Sequence, residues 1–132
     1  MFTRPQILIV DDIADHRRIL RYHLAKLGAF AIREAADGRQ ALQDLALMTP
    51  DLIFMNLGLP FLDGWEAIRH VRALAAPLGH VPIIAFTAHA GSREEHWARQ
   101  AGCDEYWIKP LRDLGVVQQT VTALLARRGL QP

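Results

Sequence analysis

Five short apolar runs punctuate this chain, and amphipathic stretches separate them. Gln6-Ile7-Leu8-Ile9-Val10 comes first and stops at Asp11-Asp12. Phe30 to Glu34 alternates in polarity, as a less buried strand does. Leu52-Ile53-Phe54-Met55, preceded by Pro50, is too short for a buried helix and reads as a central strand covered on both faces. Val81 to Phe86 is the fourth run, with Pro82 near its start, where a missing N–H is tolerated; it ends at the polar Thr87. Asp104 to Ile108 forms a short fifth, ending at Lys109-Pro110.

Between the runs the apolar period changes to that of a helix. Ile19, Leu20, His23, Leu24 and Leu27 share one face of a first helix, with arginines opposite and Gly28 just past its end as a C-cap. Asp37-Gly38 opens a second, carrying Leu42, Leu45, Ala46 and Met48. A third runs from about Gly64 with Ile68, Val71 and Ala75 inward. Ser92 with Glu95 three residues on is the pattern of a capping box, so a fourth helix begins there; its apolar content beyond Trp97, Ala98 and Ala101 is low, and it is expected to be exposed and comparatively loose. The last helix carries Leu114, Val117, Val121, Leu124 and Leu125 and ends in Arg127-Arg128-Gly129, basic residues then glycine.

Strand and helix therefore alternate five times with short connections. That pattern predicts an α/β fold, a doubly wound five-stranded parallel sheet with helices on both faces. The strand order 2-1-3-4-5 comes with this fold class and not from the residues themselves. No repeat, low-complexity segment or linker interrupts the chain, and its 132 residues make a single domain over 1–132.

Composition narrows the function. Hydrophobic residues are 51% and charged residues 22% of the chain, which argues against disorder. A net charge of +1 gives no electrostatic case for nucleic acid or a membrane surface. No apolar run is long enough to span a bilayer and the start carries no signal peptide, so a soluble, cytoplasmic protein is expected. The single Cys103 cannot form an internal disulfide and fits a buried spectator thiol in a reducing cytosol. The six histidines include no i, i+4 pair and suggest no zinc site.

Four strands end in polar residues: Asp11-Asp12, Asn56, Thr87 and Lys109. In the doubly wound order these ends converge on one cleft, where such folds bind ligands. Two adjacent acids can hold a hard cation such as Mg²⁺, which keeps several waters. A lysine supplies a mobile charge and a threonine hydroxyl a donor for phosphoryl oxygens, the equipment for stabilising a transferring phosphoryl group. Each has an ordinary alternative. Asp12 can cap a helix, Asp11 can serve a turn, Lys109 can sit solvated beside its proline, and Thr87 can be satisfied by backbone. Their coincidence at the ends of the right strands argues for a site.

The chain resembles the receiver domain of two-component response regulators, the CheY-like family, over residues 6 to 128. The resemblance is carried by Ile9-Val10-Asp11-Asp12, by Pro50 to Gly64 with Pro60 four residues beyond position 56, by Thr87-Ala88 and by Lys109-Pro110. It implies that Asp12 ligates Mg²⁺ directly, that Asp11 acts through water and that the Gly58 carbonyl is a further ligand, beside position 56. Thr87 would bond the phosphoryl group and shift inward on activation. Lys109 would pair with a phosphoryl oxygen. Tyr106, the aromatic switch position, would swing inward as Thr87 moves; the plainer reading is an edge-strand aromatic packed on a helix. His89 would lie at the cleft rim; the plainer reading is an ordinary exposed histidine. Trp65 would report on the site, Trp97 would sit near an interaction surface, and Trp107 would be at that surface or in the core.

The departure from the family is Asn56, which stands where the phospho-accepting aspartate is expected. An amide oxygen is a far weaker nucleophile than a carboxylate, its product would not be an acyl phosphate, and the lost charge weakens Mg²⁺. The chain is therefore expected to be phosphorylation-deficient. Because every other site residue is intact, an engineered Asp-to-Asn substitution holding the unphosphorylated state is the first reading. A natural pseudo-receiver, working as a phosphorylation-independent binding adaptor, is the alternative. Either way the resemblance implies a non-enzymatic single-domain response regulator in a phosphorelay. Its partners would be a sensor histidine kinase or histidine phosphotransfer protein and a downstream protein target, with signalling from the fourth helix, fifth strand and fifth helix. Homodimerisation through the fourth and fifth helices enters by analogy alone. A phosphatase using Asp11 or Asp12 as nucleophile lacks a further general acid in the sequence, and a flavin carrier lacks a phosphate loop after the first strand.

Overall fold

The structure is a computed structural model that describes residues 4–88 and 91–132. Its strands are β1 (Gln6–Val10), β2 (Ala31–Ala35), β3 (Leu52–Met55), β4 (Ile83–Thr87) and β5 (Glu105–Ile108), and its helices are α1 (Ala14–Ala25), α2 (Gly38–Leu47), α3 (Gly64–Arg72), α4 (Ser92–Ala101) and α5 (Leu114–Ala126). The five strands form one parallel sheet in the order β2-β1-β3-β4-β5. This is the flavodoxin-like arrangement expected from the alternation of the runs.

Strand side chains alternate between two apolar layers, as a period of two requires. Leu8, Val10, Ile53, Met55, Ile83 and Ala85 meet Ala41, Leu45, Ile68, Val71 and Ala98 on the α2–α3–α4 side. Ile7, Ile9, Leu52, Phe54, Ile84 and Phe86 meet Leu20, Leu24, Val117, Val121 and Leu125 on the α1–α5 side. β3 is buried at every position, as its unbroken apolar run implies. Trp107 packs against the second layer, its ring 6.1 Å from that of Phe54.

Several element ends differ from the sequence expectation. The expected capping box of α4 does not form: Gly91 is the N-cap, Ser92 is already helical, and no side chain caps the first turn. Gly28 is not the left-handed cap of α1, which ends at Ala25 with a right-handed Lys26. The last turn tightens there through Lys26 N–H to His23 and Leu27 N–H to Leu24. Gly129, with φ 71°, does take the left-handed conformation after α5. Ala75 lies beyond α3, which ends at Arg72, and is exposed. Ile19 is 54% exposed, because the seam of α1 runs through Leu20 and Leu24 and leaves Ile19 on its flank. Val81 and Pro82 precede β4: the Val81 carbonyl is taken by Arg72 and Pro82 has no N–H to give. β2 begins one residue later than expected, at Ala31, and β5 at Glu105.

Candidate phosphoryl-transfer cleft

Among the described residues, the buried polar or charged side chains are Asp11, Asn56 and Thr87, at 4%, 8% and 1% exposure. All three lie at the carboxyl ends of strands: Asp11 just after β1, Asn56 just after β3, and Thr87 as the last residue of β4. Backbone pairing fixes them beside one another. Asp11 N–H donates to Ala35, Asn56 N–H to Val10 and Lys109 N–H to Thr87. Lys109 follows β5 with its side chain 11% exposed. The expected convergence of the four strand ends is therefore real.

The side chains pair across the cleft. Lys109 Nζ lies 2.5 Å from Asp11 Oδ2. The other Asp11 oxygen accepts the Ile13 N–H at 3.0 Å. Asn56 Nδ2 donates to Asp12 Oδ1 at 3.2 Å. Asp12 itself does not cap α1, whose N-cap position is Ile13, and it stays exposed at the cleft mouth. Arg17 donates to the Asp11 carbonyl at 2.5 Å and to Glu34 at 3.0 Å, which ties α1 to the ends of β1 and β2. Burial pushes the Glu34 carboxyl up, but its hydrogen bonds to Arg21 and Arg17 outweigh this and hold it below the ordinary range.

The floor of the cleft is a loop that folds back on itself. Gly64 N–H donates to the Leu57 carbonyl at 3.0 Å. A Cβ at Gly64 would stand 2.5 Å from Leu57 Cα, so only glycine allows this approach. Asp63 then caps α3 by accepting the Glu66 N–H at 2.9 Å. Gly58 sits exposed in this loop with open space where a Cβ would point. Nothing steric demands glycine there.

Among the described residues, no cluster of three or more His, Cys, Asp or Glu side chains is placed to hold a metal. A cation here would draw on mixed donors: the Asp12 and Asp11 carboxylates, the Gly58 carbonyl and the Asn56 amide oxygen. All are hard oxygens, which suits Mg²⁺. Asn56 Nδ2 donates to Asp12 Oδ1, so a cation would compete with the amide for that oxygen, and the set carries one negative charge fewer than three carboxylates would give.

Tyr106 is 9% exposed and packs in the apolar layer with Ala98, Ala101 and Cys103, which is also where the plainer reading put it. Burial raises its hydroxyl pKa, and the charges of Glu94 and Glu95 add to the shift. Cys103 is buried, as expected, and burial pushes its thiol up to about 11. Trp65 meets Trp97 edge to face at 6.3 Å, joining the start of α3 to α4, while Trp97 remains 48% exposed. His89 lies outside the described residues. The sequence reading missed His16, whose Nδ1 is 3.0 Å from Lys109 Nζ. Its signal was position alone: the first turn of α1 faces the strand ends.

The model of the family described as "Response regulator receiver domain" matches residues 7–121. The chain is 38% identical over 125 residues to the transcriptional regulatory protein ResD of Bacillus subtilis, covering 95% of this chain and 50% of that one. The chain spans about half the length of the curated relatives it matches first, 52% of each. In structure it resembles a putative response regulator from Chloroflexus aurantiacus, with TM-score 0.85 and 30% identity over 95% of this chain and 100% of that one. It also resembles the receiver domain of the sensor histidine kinase PA1611 from Pseudomonas aeruginosa, with TM-score 0.83 and 31% identity over 94% and 99%. That receiver was solved with a magnesium ion coordinated in its active-site cleft. Among the described residues no helix is long and apolar enough to cross a membrane.

Proposed function

The chain belongs to the response regulator receiver domain family, and on that premise we propose that it is a two-component signalling switch whose phosphorylation cleft is assembled but lacks its nucleophile. The carrying observation is that the buried polar side chains Asp11, Asn56 and Thr87 share the strand ends with Lys109. Asp12, Asp11 and the Gly58 carbonyl would hold Mg²⁺ beside Asn56, where it would supply charge neutralisation for a phosphoryl group. With aspartate at position 56, Lys109 would leave Asp11 to meet a phosphoryl oxygen, and the Thr87 hydroxyl would donate to another. Tyr106, in the layer beside β4, follows Thr87. The Asn56 amide is neutral and does not attack phosphorus, so this chain does not accept a phosphoryl group there and binds Mg²⁺ more weakly than a carboxylate at position 56 allows.

Output is by protein contact. Trp97, Ile108 and Val116 leave apolar area exposed on α4, β5 and α5 for a downstream protein or a second copy. With aspartate at position 56 the donor is a sensor histidine kinase or a histidine phosphotransfer protein. The intact surroundings of Asn56 are what an engineered Asp-to-Asn substitution leaves behind. A second reading, the natural adaptor acting by contact alone, is favoured by the Asn56–Asp12 hydrogen bond, which gives the amide a structural task.

The test is intact mass after incubation with Mg²⁺ and a small-molecule phosphodonor. The chain as given is expected to keep its mass, and Asn56→Asp is expected to gain one phosphoryl group. Failure of both supports the adaptor. Modification of the chain as given sinks the assignment of position 56.

A further inference from the structure

His16 is the third residue of α1, and it stands where side chains from three elements meet. Its Nδ1 is 3.0 Å from Lys109 Nζ and 3.6 Å from Asp11 Oδ2, while Lys109 Nζ is 2.5 Å from that same oxygen. An ammonium has donors only. At the His16 contact the lysine can only donate, so the imidazole Nδ1 serves as the acceptor. Lys109 is held by two acceptors, one after β1 and one on α1, with its Nζ also 5.3 Å from the Phe86 ring centre. The other oxygen of Asp11 is taken by the Ile13 N–H.

The geometry points to His16 as a positioning residue that fastens Lys109 onto Asp11 and so lowers the affinity of the cleft for a divalent cation. This rests on the cation reading proposed above. Asp11 Oδ2 is shared between two claimants, the lysine and the cation with its waters. Each added acceptor on the lysine side raises what the cation must displace. Without His16 the ammonium keeps one protein acceptor and yields Asp11 more readily.

The experiment is a calorimetric titration of Mg²⁺ into Asn56→Asp and into Asn56→Asp/His16→Ala at one fixed pH. The His16 side chain is 37% exposed and alanine is the strongest helix former, so α1 is retained, which circular dichroism checks. The double variant is expected to bind Mg²⁺ ~3- to 10-fold more tightly, the size of part of one charged hydrogen bond. Equal or weaker binding overturns the effect on affinity. Ring ¹⁵N resonances of His16 in the metal-free chain give a second readout. An unprotonated Nδ1 whose shift moves in Lys109→Met is expected; a protonated Nδ1, or one indifferent to Lys109→Met, overturns the clamp. Absence of Mg²⁺ binding in both proteins overturns the cation site and its modulation by His16, while the ring nitrogen still decides whether His16 holds Lys109.

Discussion

Phe61, in the loop that floors the cleft, is the non-glycine residue with positive φ among those described, at 66°. Its ring is 76% exposed, and the Arg39 guanidinium lies 4.2 Å from the ring centre. The left-handed backbone costs a residue with a Cβ about 1–2 kcal/mol. An exposed cation–π contact returns about 0.5–1 kcal/mol, so the arrangement is tolerated and not favourable. Two substitutions separate the terms, since both remove the ring and only one keeps the strain. Phe61→Gly is expected to be more stable than Phe61→Ala by about 0.5–1 kcal/mol, the strain relieved less the added chain entropy of glycine. Urea midpoints measure this, and equal midpoints would mean that the loop relaxes around alanine. Asn56 differs in kind. Its amide finds a partner in Asp12, and the loss of a nucleophile proposed for this position is a matter of residue type, not of geometry.

At the scale of elements, Arg72 holds together the pole opposite the cleft. From the last turn of α3 it donates to the Gly102 carbonyl at 2.8 Å, Val81 at 2.6 Å, Gly79 at 3.3 Å and Asp104 Oδ2 at 3.0 Å. Asp104 in turn accepts the Ile83 N–H at 2.8 Å and Arg127 at 3.3 Å. Burial lowers the Arg72 pKa, and Asp104 opposes that shift. Arg72→Met is expected to cost about 2–4 kcal/mol in urea unfolding, since it orphans carbonyls and a half-buried carboxylate together. Arg72→Lys is expected to recover only part of this, because one ammonium cannot reach acceptors spread over a guanidinium fork. A loss under about 0.5 kcal/mol, the scale of an ordinary surface substitution, would show that water replaces the side chain. Arg72 also explains why element ends were harder to read than elements. The periodicity of α3 and the run of β4 are local, whereas the point at which β4 begins depends on an arginine nine residues earlier taking the Val81 carbonyl. The capping pattern at Ser92 failed for a related reason: the helix starts from Gly91, and local sequence does not say which of two adjacent residues leaves the helical conformation first.

For the whole molecule, the fold was legible because alternating apolar periods mark its strands and helices, and the gathering of Asp11, Asn56, Thr87 and Lys109 followed from polar residues at strand ends once the fold class supplied the strand order. His16 was not legible, because its role depends on which helical turn faces the strand ends. Stability towards base belongs to this scale too. The Cys103 thiol is raised from 9.0 to about 11 by burial among α4 and β5 residues. A group raised on folding contributes stability that is fully present below its unfolded pKa and is lost as pH rises through the folded one. Between about pH 9 and 11 the native state therefore loses about 2–3 kcal/mol through this thiol. Unfolding free energies of Cys103→Ala across that window are expected to fall less steeply than those of the parent. Identical slopes would place the loss on other groups.

The Asp11–Lys109 pair joins residues 98 apart in sequence. One partner follows the first strand to be synthesised and the other follows the last. A nascent chain exposes Asp11, Asp12 and Asn56 as an uncompensated acidic and polar pocket until the lysine has left the ribosome and β5 has docked beside β4. The cleft is therefore finished only when every strand of the sheet is in place, and its closing ion pair marks the completion of the sheet.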